Sequence, residues 1–326
     1  MKETAVKTEH QSVMVAEVLE LLALKDGEVV LDATAGAGGH SEAMLNAANV
    51  RVIALDADSS AVLRVGSRLT PFGDRAEVLE GNFSDAKQLL ERVGVSKIDK
   101  ALFDLGWNRG QLFSGRGFSL LQSDPLLMSY GTTPASGATA REIVNEWSET
   151  TLADIFYGYG EERYARRIAR EIVATRETMP IETTSQLVDI ISRAVPAVYR
   201  RGRLHFATRT FQALRIAVND ELGVIDRGVR SVWSILSEGG RIVVITFHSI
   251  EDRAVKRLFA EFVKSGEGVL VTKKPIPASR AESLVNPSAR SAKVRCVEKV
   301  ALGELPPRPS RGEGWGEGCG SKWQRL

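Results

Sequence analysis

Three short apolar runs each end in an acid: Val29-Val-Leu-Asp32, Val52-Ile-Ala-Leu-Asp56 and Ala101-Leu-Phe-Asp104. Continuous apolar runs of this length read as strands buried on both faces. Between them the apolar positions recur every three or four residues, the rhythm of helices packed on one side. The pattern predicts strands over residues 29–32, 51–56, 76–80 and 100–106, alternating with helices over 41–48, 59–69 and 84–93. Regular β-α alternation implies an α/β fold built on a parallel sheet. Right-handed crossovers bring every strand C-terminus to one rim. Asp32, Asp56, Phe83 and Asp104 are therefore expected along that rim, where open sheets of this kind bind ligands.

The alternation stops after residue 110. Residues 111–209 carry turn signals, Ser123-Asp-Pro125 and Thr133-Pro-Ala-Ser-Gly137, and helical spacing over 140–147, 152–156, 161–175 and 184–194. Gly158 and Gly160 lead into the third of these helices as its cap. The next strong strand, residues 241–248, lies too far on for an ordinary crossover, so a helical subdomain is expected between the fourth and fifth strands. A long helix over 208–236, kinked or broken at Gly223 or Gly228, precedes that fifth strand. A helix over 250–264 and an antiparallel pair over 269–274 and 293–300 then close the sheet, with Cys296 in the core of an edge strand. The expected organisation is a sheet domain in two parts, 1–110 and 210–302, with 111–209 as the inserted substrate-recognition subdomain. Residues 303–326 are too rich in Gly and Pro to fold.

Composition narrows the class. The 326 residues are 43% hydrophobic and 26% charged, as in a soluble globular protein. No apolar run approaches the roughly 20 residues that span a bilayer, and Met1–Lys7 has no signal-peptide core. A cytoplasmic protein without membrane contact is expected. Cys296 and Cys319 have no metal spacing, and His10, His40, His205 and His248 form no H-x-x-x-H pair, so no metal is indicated. The net charge of +2 says little, but six arginines between Arg193 and Arg215 run without an acid. Uncompensated arginine suits phosphate, and equally a solvated helix face. Oligomeric state is not legible in the chain, and a homodimer stays open.

The first strand runs into the turn Ala33-Thr-Ala-Gly36-Ala-Gly38-Gly39-His40. Residues without a Cβ let a backbone approach a ligand closely, and the helix behind the turn offers free N–H groups. A dinucleotide turn would require a third glycine, where this chain has Ser41. Asp32 suits the cationic amino-acid end of S-adenosylmethionine, and Asp56 suits the two ribose hydroxyls. A nicotinamide-dependent oxidoreductase remains the alternative at this point, as does a plain tight turn.

Several blocks resemble one family. They are His10-Gln-Ser-Val-Met14, Gly36-Ala-Gly-Gly-His-Ser41, Phe103-Asp-Leu-Gly106, Arg116-Gly-Phe-Ser119, Gly160-Glu-Glu-Arg-Tyr-Ala-Arg-Arg-Ile-Ala-Arg170, Ala207-Thr-Arg-Thr-Phe-Gln-Ala-Leu-Arg-Ile-Ala-Val-Asn-Asp-Glu-Leu222, Thr246-Phe-His-Ser-Ile-Glu-Asp-Arg253 and Asn286-Pro-Ser-Ala-Arg-Ser291. Their order and spacing, over residues 8 to 300, resemble the RsmH family, formerly MraW, which methylates N4 of a decoding-centre cytidine in 16S rRNA. The resemblance implies a class I, Rossmann-like methyltransferase sheet with a helical insertion, S-adenosylmethionine as donor, the small ribosomal subunit as partner and no metal. It implies that Gly36, Gly38, Gly39 and His40 cradle the methionine end, that Asp56 holds the ribose, and that Phe83 packs near the adenine. Asp104 and Gln111 would face donor and target base. Read from their own chemistry, Trp107 beside Asp104 suits stacking on the base or plain core packing, Asn108 suits reading a base edge or forming a turn, and His248 suits positioning substrate, relaying a proton or a hydrogen-bonded structural role. Arg200, Arg201, Arg203, Arg209 and Arg215 are the expected RNA contacts. The chain departs from the family where V-S-S-P-Q is usual and Trp107-Asn-Arg-Gly-Gln111 stands, and where Asp124-Pro-Leu-Leu-Met-Ser-Tyr-Gly131 replaces G-P-L-D-M-R-M-D. A third reading, a non-catalytic RNA-binding protein on the same fold, rests on that altered loop.

Overall fold

The computed structural model describes residues 11–105, 115–131 and 133–301. Four parallel strands come first: β1 (Val29–Asp32), β2 (Arg51–Asp56), β3 (Ala76–Glu80) and β4 (Ile98–Asp104). They alternate with α1 (Val15–Leu22) ahead of β1, α2 (Gly39–Ala47), α3 (Ser59–Leu69) and α4 (Ala86–Arg92). The expected helix over 84–93 starts later, because Asn82 caps a 3₁₀ turn, Phe83–Asp85, ahead of it. β1 pairs with both β2 and β4, so the strand order reverses direction between them, the point at which doubly wound sheets open a ligand crevice.

The insertion follows as α5 (Ala140–Glu146), α6 (Glu149–Gly160), α7 (Ala165–Arg176), α8 (Thr184–Ala194), the short α9 (Ala197–Arg200) and α10 (Thr208–Asn219). These helices enclose their own core, including Phe156, Ile168, Leu187 and Leu214. Two sequence expectations change here. Gly158 and Gly160 do not cap the following helix but complete α6; a Cβ on Gly160 would meet the Arg209 carbonyl oxygen at 2.5 Å, so the glycine allows α6 and α10 to cross closely. The chain also breaks at Asp220, which adopts φ 45°, and not at Gly223 or Gly228. Because α10 is buried in the helical core through Phe211, Leu214 and Val218, the insertion extends to Asn219 and not to residue 209.

α11 (Glu221–Ile235) returns to the sheet and leads into β5 (Leu236–Thr246), followed by α12 (Ser249–Lys264), β6 (Gly268–Leu270), β7 (Ile276–Pro277), α13 (Arg280–Val285) and β8 (Lys293–Lys299). The sheet order is β3-β2-β1-β4-β5-β8-β6, with β8 antiparallel to β5 and β7 beside β8. Cys296 is thus buried inside the sheet, not on an edge strand, because β8 is paired on both sides. One apolar layer, with Leu31, Phe103 and Val244, lies under α4, α11 and α12; the other, with Val30, Leu102 and Ile245, lies under α1, α2 and α3. Gly228 belongs to the first layer: a Cβ there would meet the Phe83 ring at 2.4 Å. No described helix is long and apolar enough to cross a membrane.

Candidate active site

The turn after β1 is shaped by hydrogen bonds that its own sequence supplies. Ala35 N–H donates to Leu55 O at 2.8 Å, and Gly38 N–H donates to Ala35 O at 2.7 Å. Gly36 and Gly38 both have positive φ, 57° and 80°, which a side chain would strain. Gly39 is needed for space, since a Cβ there would lie 2.2 Å from Ser12 Oγ. Behind the turn, Asp32 is fully buried and accepts from Ser41 Oγ at 2.6 Å and from Thr34 N–H at 3.2 Å. Burial raises its carboxyl above the usual range, against the pull of His40, Ser41 and Thr34. Asp32 therefore braces the turn from within instead of presenting its carboxylate to the cationic end of a ligand.

Asp56, at the end of β2, is only partly buried. One of its oxygens accepts Gly36 N–H at 2.8 Å and the other accepts Asp58 N–H at 2.9 Å. Each oxygen keeps a lone pair for a further donor. Burial raises this carboxyl too, while the Asp58 and Gly36 amides work in the other direction. Phe83 sends its ring against Phe103, edge to face at 5.5 Å, and so is anchored in the sheet core beside the crevice.

Asp104, at the end of β4, lies across the turn from His40. The Asp104 N–H donates to Thr34 Oγ1 at 2.6 Å, which ties the β4 terminus to the turn. His40 Nε2 is 3.6 Å from Asp104 Oδ2, close enough for ionic attraction and too far for a hydrogen bond. Among the described residues, both His40 ring nitrogens and Asp104 Oδ1 are buried with no hydrogen-bond partner. Buried polar atoms are rarely left unmatched, so three at one point mark a place suited to a polar ligand. Burial alone would depress the His40 imidazole, but the carboxylates of Asp104 and Asp32 outweigh it and raise its titration above the ordinary value.

The remaining expected site residues fare differently. His248 does not project into the crevice as a free base. It caps α12, its Nδ1 accepting Glu251 N–H at 3.3 Å while Nε2 lies 3.0 Å from Glu251 Oε1. Arg215 is withdrawn from any RNA-facing surface: it is buried and forks onto Glu221 at 2.7 and 3.0 Å, with His248 Nε2 at 3.3 Å. Burial opposes its charge, but Glu221 more than restores it and raises the guanidinium further. Glu221, His248 and Glu251 lie near enough together to hold a cation, and the Arg215 guanidinium already supplies that charge. Arg200, Arg201 and Arg203 are exposed at the end of α9, and Arg209 is half-buried with one N–H on Glu161 O at 2.7 Å. Trp107, Asn108 and Gln111 lie outside the described residues, as does the tail at 303–326.

Sequence reasoning passed over Thr34, Tyr130 and Glu161, whereas a pairing of Arg209 or Arg215 with Glu221 or Asp220 is legible in the chain and Arg215 makes it with Glu221. Tyr130 donates its hydroxyl to Glu221 Oε1 at 2.8 Å. Glu161 accepts from Ser249 Oγ at 2.9 Å and from Arg253 at 2.5 Å, so the insertion is fastened to the first turns of α12. The only hint in the sequence was that these residues fall inside or beside the motif blocks.

The sequence profile of the MraW methylase family matches residues 7–300. The ribosomal RNA small subunit methyltransferase H of Symbiobacterium thermophilum is 44% identical over 313 residues, covering 90% of this chain and 98% of that protein. The protein of the same name from Geotalea uraniireducens is 43% identical over 309 residues, covering 89% and 98%. That from Deinococcus deserti is 44% identical over 304 residues, covering 92% and 97%.

Proposed function

The chain belongs to the MraW methylase family, and on that premise we propose that it transfers a methyl group from S-adenosylmethionine to N4 of a cytidine in the decoding centre of 16S rRNA, in the cytoplasm. It is an rRNA methyltransferase built on a class I sheet. The observation that carries the reading is the set of unmatched buried atoms on His40 and Asp104, at the strand reversal between β1 and β4.

The residues present fit the donor. The glycine turn leaves a surface without side chains, and Asp56 keeps acceptor capacity beside it. Gly36, Gly38, Gly39 and His40 would lie along the methionine end, Asp56 at the ribose and Phe83 near the adenine. When bound, S-adenosylmethionine supplies an electrophilic sulfonium methyl. A nicotinamide dinucleotide fits less well, because Ser41 stands where its turn needs glycine and is itself buried against Asp32.

Cytosine N4 is a weak nucleophile whose lone pair is delocalised into the ring. The protein's task is to hold it in line and to receive its proton. Asp104 suits that task, since a carboxylate accepts from cytosine N4. His40 Nε2 lies 3.6 Å from that carboxylate. The target base must leave its stack to reach this depth. Arg200, Arg201, Arg203 and Arg209, at the outer end of the insertion, would meet RNA phosphates. Incubation of the protein with methyl-labelled donor and small subunits, followed by nucleoside mass spectrometry, tests the reading. Label in N4-methylcytidine is expected. Label in another nucleoside, or none from protein that still binds donor, overturns it.

A further inference from the structure

Tyr130 lies in the segment where this chain leaves its family's pattern, and its surroundings are built with more care than a surface tyrosine needs. Its hydroxyl is bound to Glu221, which the buried Arg215 holds in turn. Its backbone N–H donates to Asn219 Oδ1 at 2.9 Å, and Asn219 donates back to Met128 O at 2.8 Å. Arg116 grips the carbonyls of Tyr130 and Gly131 at 2.8 and 3.0 Å. Met128 adopts φ 56°, a strained conformation for a residue with a side chain, so the loop is held in shape against a local cost. The Phe118 ring stacks on Tyr130, centroids 5.7 Å apart and planes within 13°. Yet Tyr130 remains 37% exposed. With the hydroxyl on Glu221 and one face on Phe118, the other face of the ring is the side left for a partner.

We infer that this open face is a stacking platform for a nucleobase of the RNA substrate at the target site. The inference rests on the proposed RNA reaction and adds the surface that receives a base. A base drawn out of its stack loses a neighbour, and a fixed aromatic ring replaces it without reading sequence. The ring is already immobilised at both ends, so binding costs little further order. Its place is suitable: the Arg215 that holds Glu221 also contacts His248, two residues past the C-terminal end of β5 on the ligand rim. A buried packing role would hide both faces, and a solvated tyrosine would not require its hydroxyl, amide and carbonyl all to be fixed.

Three variants separate ring from anchor: Tyr130→Phe, Tyr130→Trp and Tyr130→Leu. Each is assayed for KM toward small subunits, for KM toward donor, and for single-stranded RNA binding by fluorescence anisotropy, with thermal unfolding as the control for folding. Loss of one stacked base is worth roughly a five- to hundredfold weakening. Tyr130→Leu is expected to raise the KM for RNA by about tenfold or more with the KM for donor unchanged. Tyr130→Phe and Tyr130→Trp, which keep a ring face, should stay within about threefold of the parent, well inside the stacking effect. Equal losses in the Phe and Leu variants would mean that the hydroxyl anchor matters and the ring face does not, and would overturn the inference. So would a Leu variant that matches the parent. If the parent protein transfers no methyl but loses RNA binding only in the Leu variant, the reaction is wrong and the platform stands.

Discussion

Replacing Glu221 by glutamine tests the joint between the insertion and the sheet. The side chains of Arg215 and Glu221 are 11% and 8% exposed, and they meet in a two-pronged contact at 2.7 and 3.0 Å. Tyr130 adds a third hydrogen bond to the same carboxylate. Glutamine keeps the shape, removes the charge and leaves the guanidinium buried without its main partner. Breaking a buried pair on one side costs about 3–5 kcal/mol, several times the value of a surface bridge. The Glu251 carboxylate still acts on the guanidinium, which favours the lower end, about 3 kcal/mol. For a chain of this size that corresponds to a fall in Tm of roughly 4–5 °C. Urea unfolding gives the free energy directly, and donor affinity measured by calorimetry should stay within about twofold, because Asp56 and the glycine turn are untouched. The double variant Arg215→Met with Glu221→Leu should recover at least half of the loss, since neither member of the pair is then left buried without its partner. A Glu221→Gln loss below about 1 kcal/mol, or a double variant worse than the single, would refute the reasoning.

Asp104→Asn should lower kcat for methyl transfer by about a hundredfold or more, because the amide cannot take up the N4 proton; single-turnover transfer with saturating donor checks this. Gly39→Ala should lose stability and donor affinity by pushing on Ser12 Oγ, and Ser12→Gly in the same chain should restore both, as read by thermal shift with and without S-adenosylhomocysteine. His40 has a raised folded-state pKa, so its contribution to stability is complete below about pH 6.5 and is lost as pH rises through the higher folded value. The unfolding free energy of His40→Asn, compared with the parent from pH 6 to pH 9, should therefore show the larger deficit at the acidic end. A deficit that grows with pH would reverse the assignment.

The parallel half of the sheet was readable because each strand is an apolar run stopped by Asp, Glu or Gly, and such punctuation is local. The boundaries of β2 and α3 emerge where the pattern puts them. Failures came where a residue serves a distant neighbour. Gly160, Gly223 and Gly228 read locally as helix breakers, yet Gly160 and Gly228 are there to let Arg209 and Phe83 come close. Asp220, which carries the break, gives no such signal, because its left-handed backbone is set by the packing of α10 and α11 on different cores. The glycine turn, Asp56 and Asp104 could be placed on one rim from topology alone. That Asp32 turns inward, that Arg215 is captured by Glu221 and that His248 caps a helix depend on side-chain directions that spacing does not encode.

The position of β8 governs the order in which the molecule can be completed. β5 leaves the translating ribosome with one flank open, and the strand that covers it begins 47 residues later. At about 5–20 residues per second that gap lasts roughly 2–9 s. Throughout it, a long hydrophobic ribbon presents bare amides and carbonyls to whatever lies nearby. Synthesis interrupted between β5 and β8 would yield a sticky intermediate and not a smaller enzyme, because the flank that β8 covers would stay bare.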